Sequence, residues 1–296
     1  MKKQTTGGTY DKNERFAYFL ATSPTRHTEA ETNLPDENIV KYEYVLIAVN
    51  ELESKKSFEQ LDKLIEEGRK VLIDSGIFNL TMRHARAHDV HMDVALGLAP
   101  AEIDGFDELK EKYYSVADKY KNDIWGMIEM DQGGAANKPI TRAMIEKDTG
   151  IVPIPVWHPL LDGVEYYENL TAEYDRICVG NLVKAVPSIR LRLLTRIYEL
   201  SREHPDVWHH LLGVTPSDLS YSLPIYGSCD SSTWLAGVRW MQGWKARATA
   251  KTFGNYPEDL WYGETQGTYY RVDGVSLFNS LALDAGVKDA RVRRGQ

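Results

Sequence analysis

The sequence predicts an α/β fold in which eight parallel strands alternate with helices and close on themselves, a (β/α)8 or TIM barrel. Three observations point there. Short aliphatic or β-branched runs recur at intervals of roughly 20 to 45 residues. They are continuous rather than alternating, as strands buried on both faces are. The segments between them carry apolar residues at helical spacing, and 296 residues is an ordinary length for one such barrel.

The runs are FAYFLAT (16–22), YVLIAV (44–49), KVLIDS (70–75), IWGMIEMD (124–131), VPIPVWH (152–158), RICVGN (176–181), VWHHLLGV (207–214) and PIYGSCD (224–230). SFEQLDKLIEEGRK (57–70) reads as a helix with Ser57 placed to cap it and Gly68 placed to stop it. FDELKEKYYSVADKY (106–120) is a second, and PSIRLRLLTRIYELSR (187–202) a third that starts on a tolerated proline. An open doubly wound sheet is the rival, but no GxGxxG follows the first run. Residues 1–14 read as a flexible lead-in and 15–296 as a single catalytic domain. From about 245 a C-terminal extension carries an insertion around 252–263 and a last helix near 275–285.

Composition narrows the classes. Net charge is −8, which is no footprint of a strong non-specific nucleic-acid binder, although a local basic patch is compatible with it. No apolar run approaches the ~18 residues of a membrane span, and no hydrophobic segment follows the N-terminal lysines. A soluble, cytoplasmic protein is expected. Cys178 and Cys229 are too few and too far apart for a disulfide framework or a Cys-rich zinc site, and both read as small buried hydrophobes.

Active sites of such barrels lie at the C-terminal ends of the strands, and there the runs end in polar residues and glycines. The third ends in Asp74-Ser75-Gly76, the fourth in Glu129-Met130-Asp131, the fifth in Trp157-His158, the sixth in Gly180-Asn181-Leu182 and the eighth in Asp230-Ser231-Ser232. Each has a structural alternative: Asp74 and Asp230 as helix caps, Asp131 as a turn residue, His158 as a packed imidazole. Four such residues at four strand ends of one barrel favour a shared site. His209 and His210 point to opposite faces of a regular strand, and neither is read as catalytic. His84, His88 and His91 have helical spacing but no accompanying metal frame, so no metal site is assigned.

Two carboxylates facing one pocket can carry out displacement at a sugar carbon. One attacks the anomeric centre, and the other moves protons on the departing and arriving groups. Backbone at Gly180 to Leu182 can approach a flat ligand closely.

The motifs then resemble a known family. DSGIF (74–78) resembles the DSGGF motif of the tRNA-guanine transglycosylase superfamily, and VGNLV (179–183) its glycine-rich segment. GSCDSSTW (227–234) resembles the VDSTSW stretch of its DNA-acting branch, the phage and bacterial DpdA-type 7-deazaguanine DNA transglycosylases. PIPVWH (153–158) and LLGVT (211–215) fall in that branch's order, and the likeness covers roughly residues 70 to 240.

The resemblance implies a TIM barrel that exchanges guanine in DNA for a free 7-deazaguanine base such as preQ0. It implies a covalent glycosyl-enzyme, no cofactor, and a place in the host cytoplasm for a phage-encoded chain. By position, Asp230 is then the nucleophile and Asp74 the general acid/base, with Ser75 and Gly76 beside it. Asp131 reads the purine edge, Gly180 and Leu182 hold the base through the backbone with Asn181 between them, and His158 contacts base or ribose. Arg190, Arg239, Lys245 and Arg247, with Arg192, Arg196, Lys251 and the arginines of 291–294, are the candidate DNA contacts. Trp234, Trp240 and Trp244 interleave with the second group, and the structural alternative is a barrel helix with solvated cations. An accessory protein that opens or grips DNA fits the acidic charge.

Two departures bear on the substrate. The zinc site of tRNA-acting members, three Cys and one His, has no counterpart here, which favours DNA. The family's second glycine is Ile77 and its paired glycine is Asn181, which leaves the inserted base open. The alternatives are a tRNA- or nucleoside-acting ribosyltransferase, a non-catalytic nucleic-acid- or protein-binding barrel, and a sugar hydrolase.

Overall fold

Each of the eight apolar runs forms a strand, and the computed structural model places all eight in one parallel sheet. It describes residues 1–8, 17–25, 27, 43–182, 185–214 and 227–232. The strands are β1 (Ala17–Ala21), β2 (Tyr44–Ala48), β3 (Lys70–Asp74), β4 (Gly126–Met127), β5 (Val156–Trp157), β6 (Arg176–Val179), β7 (Trp208–Leu211) and β8 (Gly227–Ser231). Their spatial order is β4-β3-β2-β1-β8-β7-β6-β5. The fold is thus α/β, with a curled all-parallel sheet. Arg239, Lys245, Arg247, Lys251, the three interleaved tryptophans and the extension from about 245 lie outside the described residues.

The helices named here are α1 (Lys55–Glu66), α2 (Ile77–Ala87), α3 (Met92–Gly97), α4 (Phe106–Tyr120), α5 (Gly134–Thr149), α6 (Gly163–Glu173) and α7 (Pro187–Glu203). The cap of α1 is Ser54, not Ser57. The two serines cap each other: Ser57 N–H donates to Ser54 Oγ at 3.1 Å, and Ser54 N–H donates to Ser57 Oγ at 3.0 Å. Ser57 is the third residue of that reciprocal box, so the helix begins earlier than the sequence suggests. Gly68 ends the turn with φ +77°.

Alternation along the strands sorts the core. Outward-facing Val45, Ile47, Val71 and Ile73 pack beneath Leu61, Leu64, Leu109 and Tyr113 of α1 and α4. On the other half Ile177, Val179, Leu211 and Cys229 pack beneath Tyr167 and Leu170 of α6 and Leu194 and Ile197 of α7. A third cluster gathers Ala17, Phe19, Leu46, Leu72, Ile128, Ile154, Val156, Cys178 and Trp208. These come from runs all along the sheet and meet only because it curls around its concave face. Both cysteines are buried, and neither forms a disulfide among the described residues.

The edge runs β4 and β5 approach each other through one parallel bridge, Ile128 to Ile154. Two backbone bonds flank it, Glu129 N–H to Ile154 O at 3.0 Å and Ile154 N–H to Met127 O at 2.8 Å. Glu129 extends this seam with its side chain. Its Oε1 accepts the Val156 N–H at 2.6 Å, and its Oε2 accepts Arg142 Nη1 at 2.7 Å from α5. Both charged groups are buried.

The first residues, expected as a loose lead-in, are held at the strand starts. Lys3 bridges Tyr174, and Thr5 N–H donates to Asp175 Oδ1 at 2.9 Å. Buried Arg176 donates to the carbonyls of Thr5, Thr6 and Trp125. No helix among the described residues is long and apolar enough to cross a membrane.

Because the β4–β5 seam rests on so few bonds, Glu129 carries unusual weight. Glu129→Ala leaves the Arg142 guanidinium buried without its carboxylate. It is expected to cost about 3–5 kcal/mol in urea unfolding; a cost below about 1 kcal/mol would show that the seam does not depend on it.

Candidate active site

Continuous strands that end abruptly in polar residues put those residues on one rim of the sheet. There a pocket of about 180 Å³ is lined by Leu46, Asp74, Ile77, Phe78, Leu96, Asp131, His158, Gly180, Asn181, Leu212, Gly213 and Asp230. Its three carboxylates come from the ends of β3 and β8 and the segment just after β4. At this size it suits a small flat ligand rather than a drug-sized one. Its walls are partly apolar, and Phe78 is still about one-third exposed, at 36%.

Asp74 is the least compensated of the three. Burial, then the charge of Asp131, push its carboxyl up to about 7, with Asp230 adding to the rise. The Gly76 N–H, donating to Asp74 Oδ2 at 3.0 Å, only partly opposes this. Gly76 is the N-cap of α2 with φ +78°, and a Cβ there would meet the Asn50 side chain at 2.9 Å. Asp74 therefore holds a proton near neutrality.

Asp131 is treated differently. Burial pushes its carboxyl up, but the His158 bond and charge, with Lys138 behind them, outweigh it and hold the group below the usual carboxylate range. His158 Nε2 lies 2.7 Å from Asp131 Oδ2. The His158 backbone N–H donates to Asp162 Oδ2 at 2.7 Å, and the fully buried Lys138 ammonium donates to the same oxygen at 2.6 Å. Gly180 fits beneath this imidazole: a Cβ on it would sit 2.8 Å from the His158 ring.

Asp230 has two polar partners, both on Oδ1: the Gly213 N–H donates at 2.9 Å and His210 Nε2 lies at 3.2 Å. Among the described residues Oδ2 takes none. Beneath the pocket lies Cys178, whose thiol is pushed well up by burial and then by Asp131, Asp230 and Asp74.

Of the sequence-predicted residues, Asp74, Asp131, His158, Gly180, Asn181 and Asp230 all line this pocket. Asn181 takes φ +59°, a left-handed turn that asparagine tolerates. Ser75 and Gly76 shape the β3–α2 turn without lining the cavity. Leu182 is buried in the core between β6 and α7, so its side chain packs there and not on the pocket. Arg190 sits in the first turns of α7, its Nη2 donating to the Ala185 carbonyl at 3.4 Å.

His210 escaped the sequence reading. His209 does face outward, 2.9 Å from the Tyr167 hydroxyl, and burial pushes its pKa down to about 4. His210 faces inward onto Asp230. Register was the missing signal: in the parallel β7–β8 pair His210 sits opposite Ser228, two residues before Asp230 on the same face of β8. Gln132 was also missed. Its amide donates to the carbonyls of Ala95, Leu96 and Leu98 and accepts from Thr81 Oγ1 at 2.8 Å, which ties the end of the β4 run to α2 and α3.

Among the described residues one group elsewhere has metal-ligand chemistry. His84, His88 and Asp104 bring their ligand atoms within 4.8 Å of one another. Both rings lie within hydrogen-bond reach of Asp104 Oδ2, at 3.1 and 2.6 Å, which accounts for them as a clasp between α2 and the turn before α4.

A scan against protein-family models finds no match for this chain, and neither does a search of curated proteins.

The raised Asp74 carboxyl has a stability consequence with a definite sign. Between its unfolded value near 3.9 and about 7, the folded state binds more protons than the unfolded state. Stability therefore falls as pH rises through that window. Asp74→Asn is expected to stabilise the protein at pH 8 by roughly 1–3 kcal/mol, with the gain shrinking towards pH 4. Thermal melts across pH check this; a gain independent of pH would contradict the assignment. Gly180→Ala is expected to displace the His158 ring from Asp131, read as a shift in the His158 imidazole resonances with little change in melting temperature.

Proposed function

We propose that this chain is a (β/α)8 TIM barrel closed through the Ile128–Ile154 bridge. It acts as a DNA transglycosylase that exchanges guanine for a free 7-deazaguanine base such as preQ0. The observation that carries the reading is the division of labour among three carboxylates at one pocket. Asp74 holds a proton near neutrality, while Asp230 has both its donors on Oδ1 and leaves Oδ2 for attack. The motif likeness around Asp74 and Asp230 supports the same pair.

In the first half-reaction Asp230 Oδ2 attacks C1′ of a deoxyguanosine whose base has been turned out of the stack. The C1′–N bond breaks, its electron pair goes to the base, and the Asp74 proton follows it. The sugar is now esterified to Asp230 and the DNA strand is uncut. In the second, the Asp74 carboxylate takes a proton from the incoming deazaguanine. That base's nitrogen bonds C1′, the C1′–Oδ2 bond breaks, and the electron pair returns to Asp230. Protons and charge balance with no cofactor.

Recognition follows from the pocket's remaining walls. Asp131, kept ionised by His158, accepts from the N–H donors of a guanine-type edge. Leu46, Ile77 and Phe78 offer apolar surface to the ring faces, and backbone at Gly180 and Asn181 closes the other side. DNA is the favoured polymer through the likeness of GSCDSSTW to the DNA-acting branch. Arg190 and the basic residues 239–251 are proposed to meet phosphates, with an accessory protein assisting.

The test is release of labelled guanine from double-stranded DNA with 7-cyano-7-deazaguanine present, for wild type and Asp230→Asn, with tRNA as a parallel substrate. Release by wild type alone is expected. Release from tRNA only would move the substrate class, and no release from either would overturn the reading. The first step needs protonated Asp74, so under pre-steady-state conditions the rate of guanine departure is expected to fall as pH rises through about 7. Asp74→Asn should slow it by about 10²–10⁴.

A further inference from the structure

We propose that His210 is a positioning residue for Asp230, fixed in one tautomer by Ser228 and Trp208. It keeps Oδ2 aimed at the sugar and stabilises the charge that returns to Asp230 when the sugar–aspartate bond breaks. This rests on the transglycosylase reading of Asp230.

The chain of contacts runs inside the sheet from β7 to β8. The Trp208 indole N–H, which can only donate, lies 2.9 Å from Ser228 Oγ. Ser228 Oγ therefore accepts there, and its own proton is free to point at His210 Nδ1, 2.7 Å away. With Nδ1 accepting, a neutral His210 carries its proton on Nε2, which faces Asp230 Oδ1 at 3.2 Å. The other tautomer would set a ring lone pair against an ionised carboxylate. Trp208, His210 and Ser228 are all buried at 1% exposure or less. Phe19 packs edge-on against the His210 ring with centroids 5.4 Å apart, so the ring is held by packing as well.

The Gly213 N–H donates to the same oxygen at 2.9 Å. These two donors form a cradle for one carboxylate oxygen and give the other an orientation. When Oδ2 bonds C1′, Oδ1 becomes an ester carbonyl and both hydrogen bonds weaken. When C1′–Oδ2 breaks, the electron pair returns to the carboxylate and both bonds strengthen. Donors that gain strength as charge develops lower that barrier. No proton passes between His210 and Asp230, so His210 assists departure of Asp230 more than its attack.

The test combines a spectrum with kinetics. In wild type, the ring ¹⁵N shifts of His210 are expected to report a proton on Nε2, and Ser228→Ala is expected to raise the population of the other tautomer. A wild-type proton on Nδ1 overturns the proposal whatever the activity. In base exchange, His210→Leu is expected to lower kcat by about 10²–10³ with KM changed little. The covalent DNA–protein adduct should accumulate on denaturing gels, because the second half-reaction slows more. His210→Gln, whose amide N–H can still donate to Oδ1, should recover most of that loss. Exchange by His210→Leu within about twofold of wild type, or no recovery in His210→Gln, would overturn the role. Absence of exchange by wild type on any nucleic acid would instead remove the transglycosylase reading, and the ring spectrum would still decide whether the Trp208–Ser228–His210 chain exists.

Discussion

Three carboxylates sharing one small pocket is the constraint on which the site depends. Unit charges a few ångströms apart repel strongly once water is displaced, so the three cannot all be ionised without compensation. The fold relieves the conflict differently at each. Asp131 receives an imidazole with a buried ammonium behind it, Asp230 receives an imidazole and a backbone N–H, and Asp74 receives backbone N–H groups of the turn that follows it. The uncompensated member is the one that retains a proton near neutrality. Burial, with Asp131 charged nearby, thus leaves the proton on the carboxylate that has no histidine beside it.

That allocation requires the sheet to hold its ends in register. Asp131 belongs to the short β4 run, whose contact with the β5 run is one bridge plus the Glu129 carboxylate. His158 follows β5 directly. The Glu129–Arg142 pair therefore acts at a distance from the pocket but on the same seam that brings Asp131 and His158 together. A buried ion pair is poor evidence for stability alone. Here its second oxygen accepts a strand N–H, so its geometry has a use beyond the pairing of charges.

Much of this was legible in the sequence because the signals were local. Most strands fall in continuous apolar runs, and Asp74, Asp131, His158, Gly180 and Asp230 sit where such runs stop, so these could be named from position alone. Boundaries were less legible: Ser57 looks like a cap because it precedes the apolar pattern, yet Ser54 does the capping with Ser57 as its reciprocal partner. Leu182, expected to meet a base through its backbone, buries its side chain in the core. The lead-in 1–14 looked polar and free, whereas Thr5 meets Asp175 and Arg176, partners 170 and more residues away.

His210 shows why cross-strand partnerships stay hidden. The HH pair states only that the two rings face opposite sides, and Asp230 lies twenty residues on, across a connection whose length says nothing about pairing. The parallel register of His210 with Ser228 decides the matter. A slip of one residue would exchange the two histidines and place His209 against the carboxylate. Register is in turn constrained at Gly227, where a Cβ would meet the His209 carbonyl oxygen at 2.2 Å, a contact that no side chain survives. The glycine at the start of β8 thus lets the two strands approach closely enough for an indole, a hydroxyl, an imidazole and a carboxylate to line up inside the sheet.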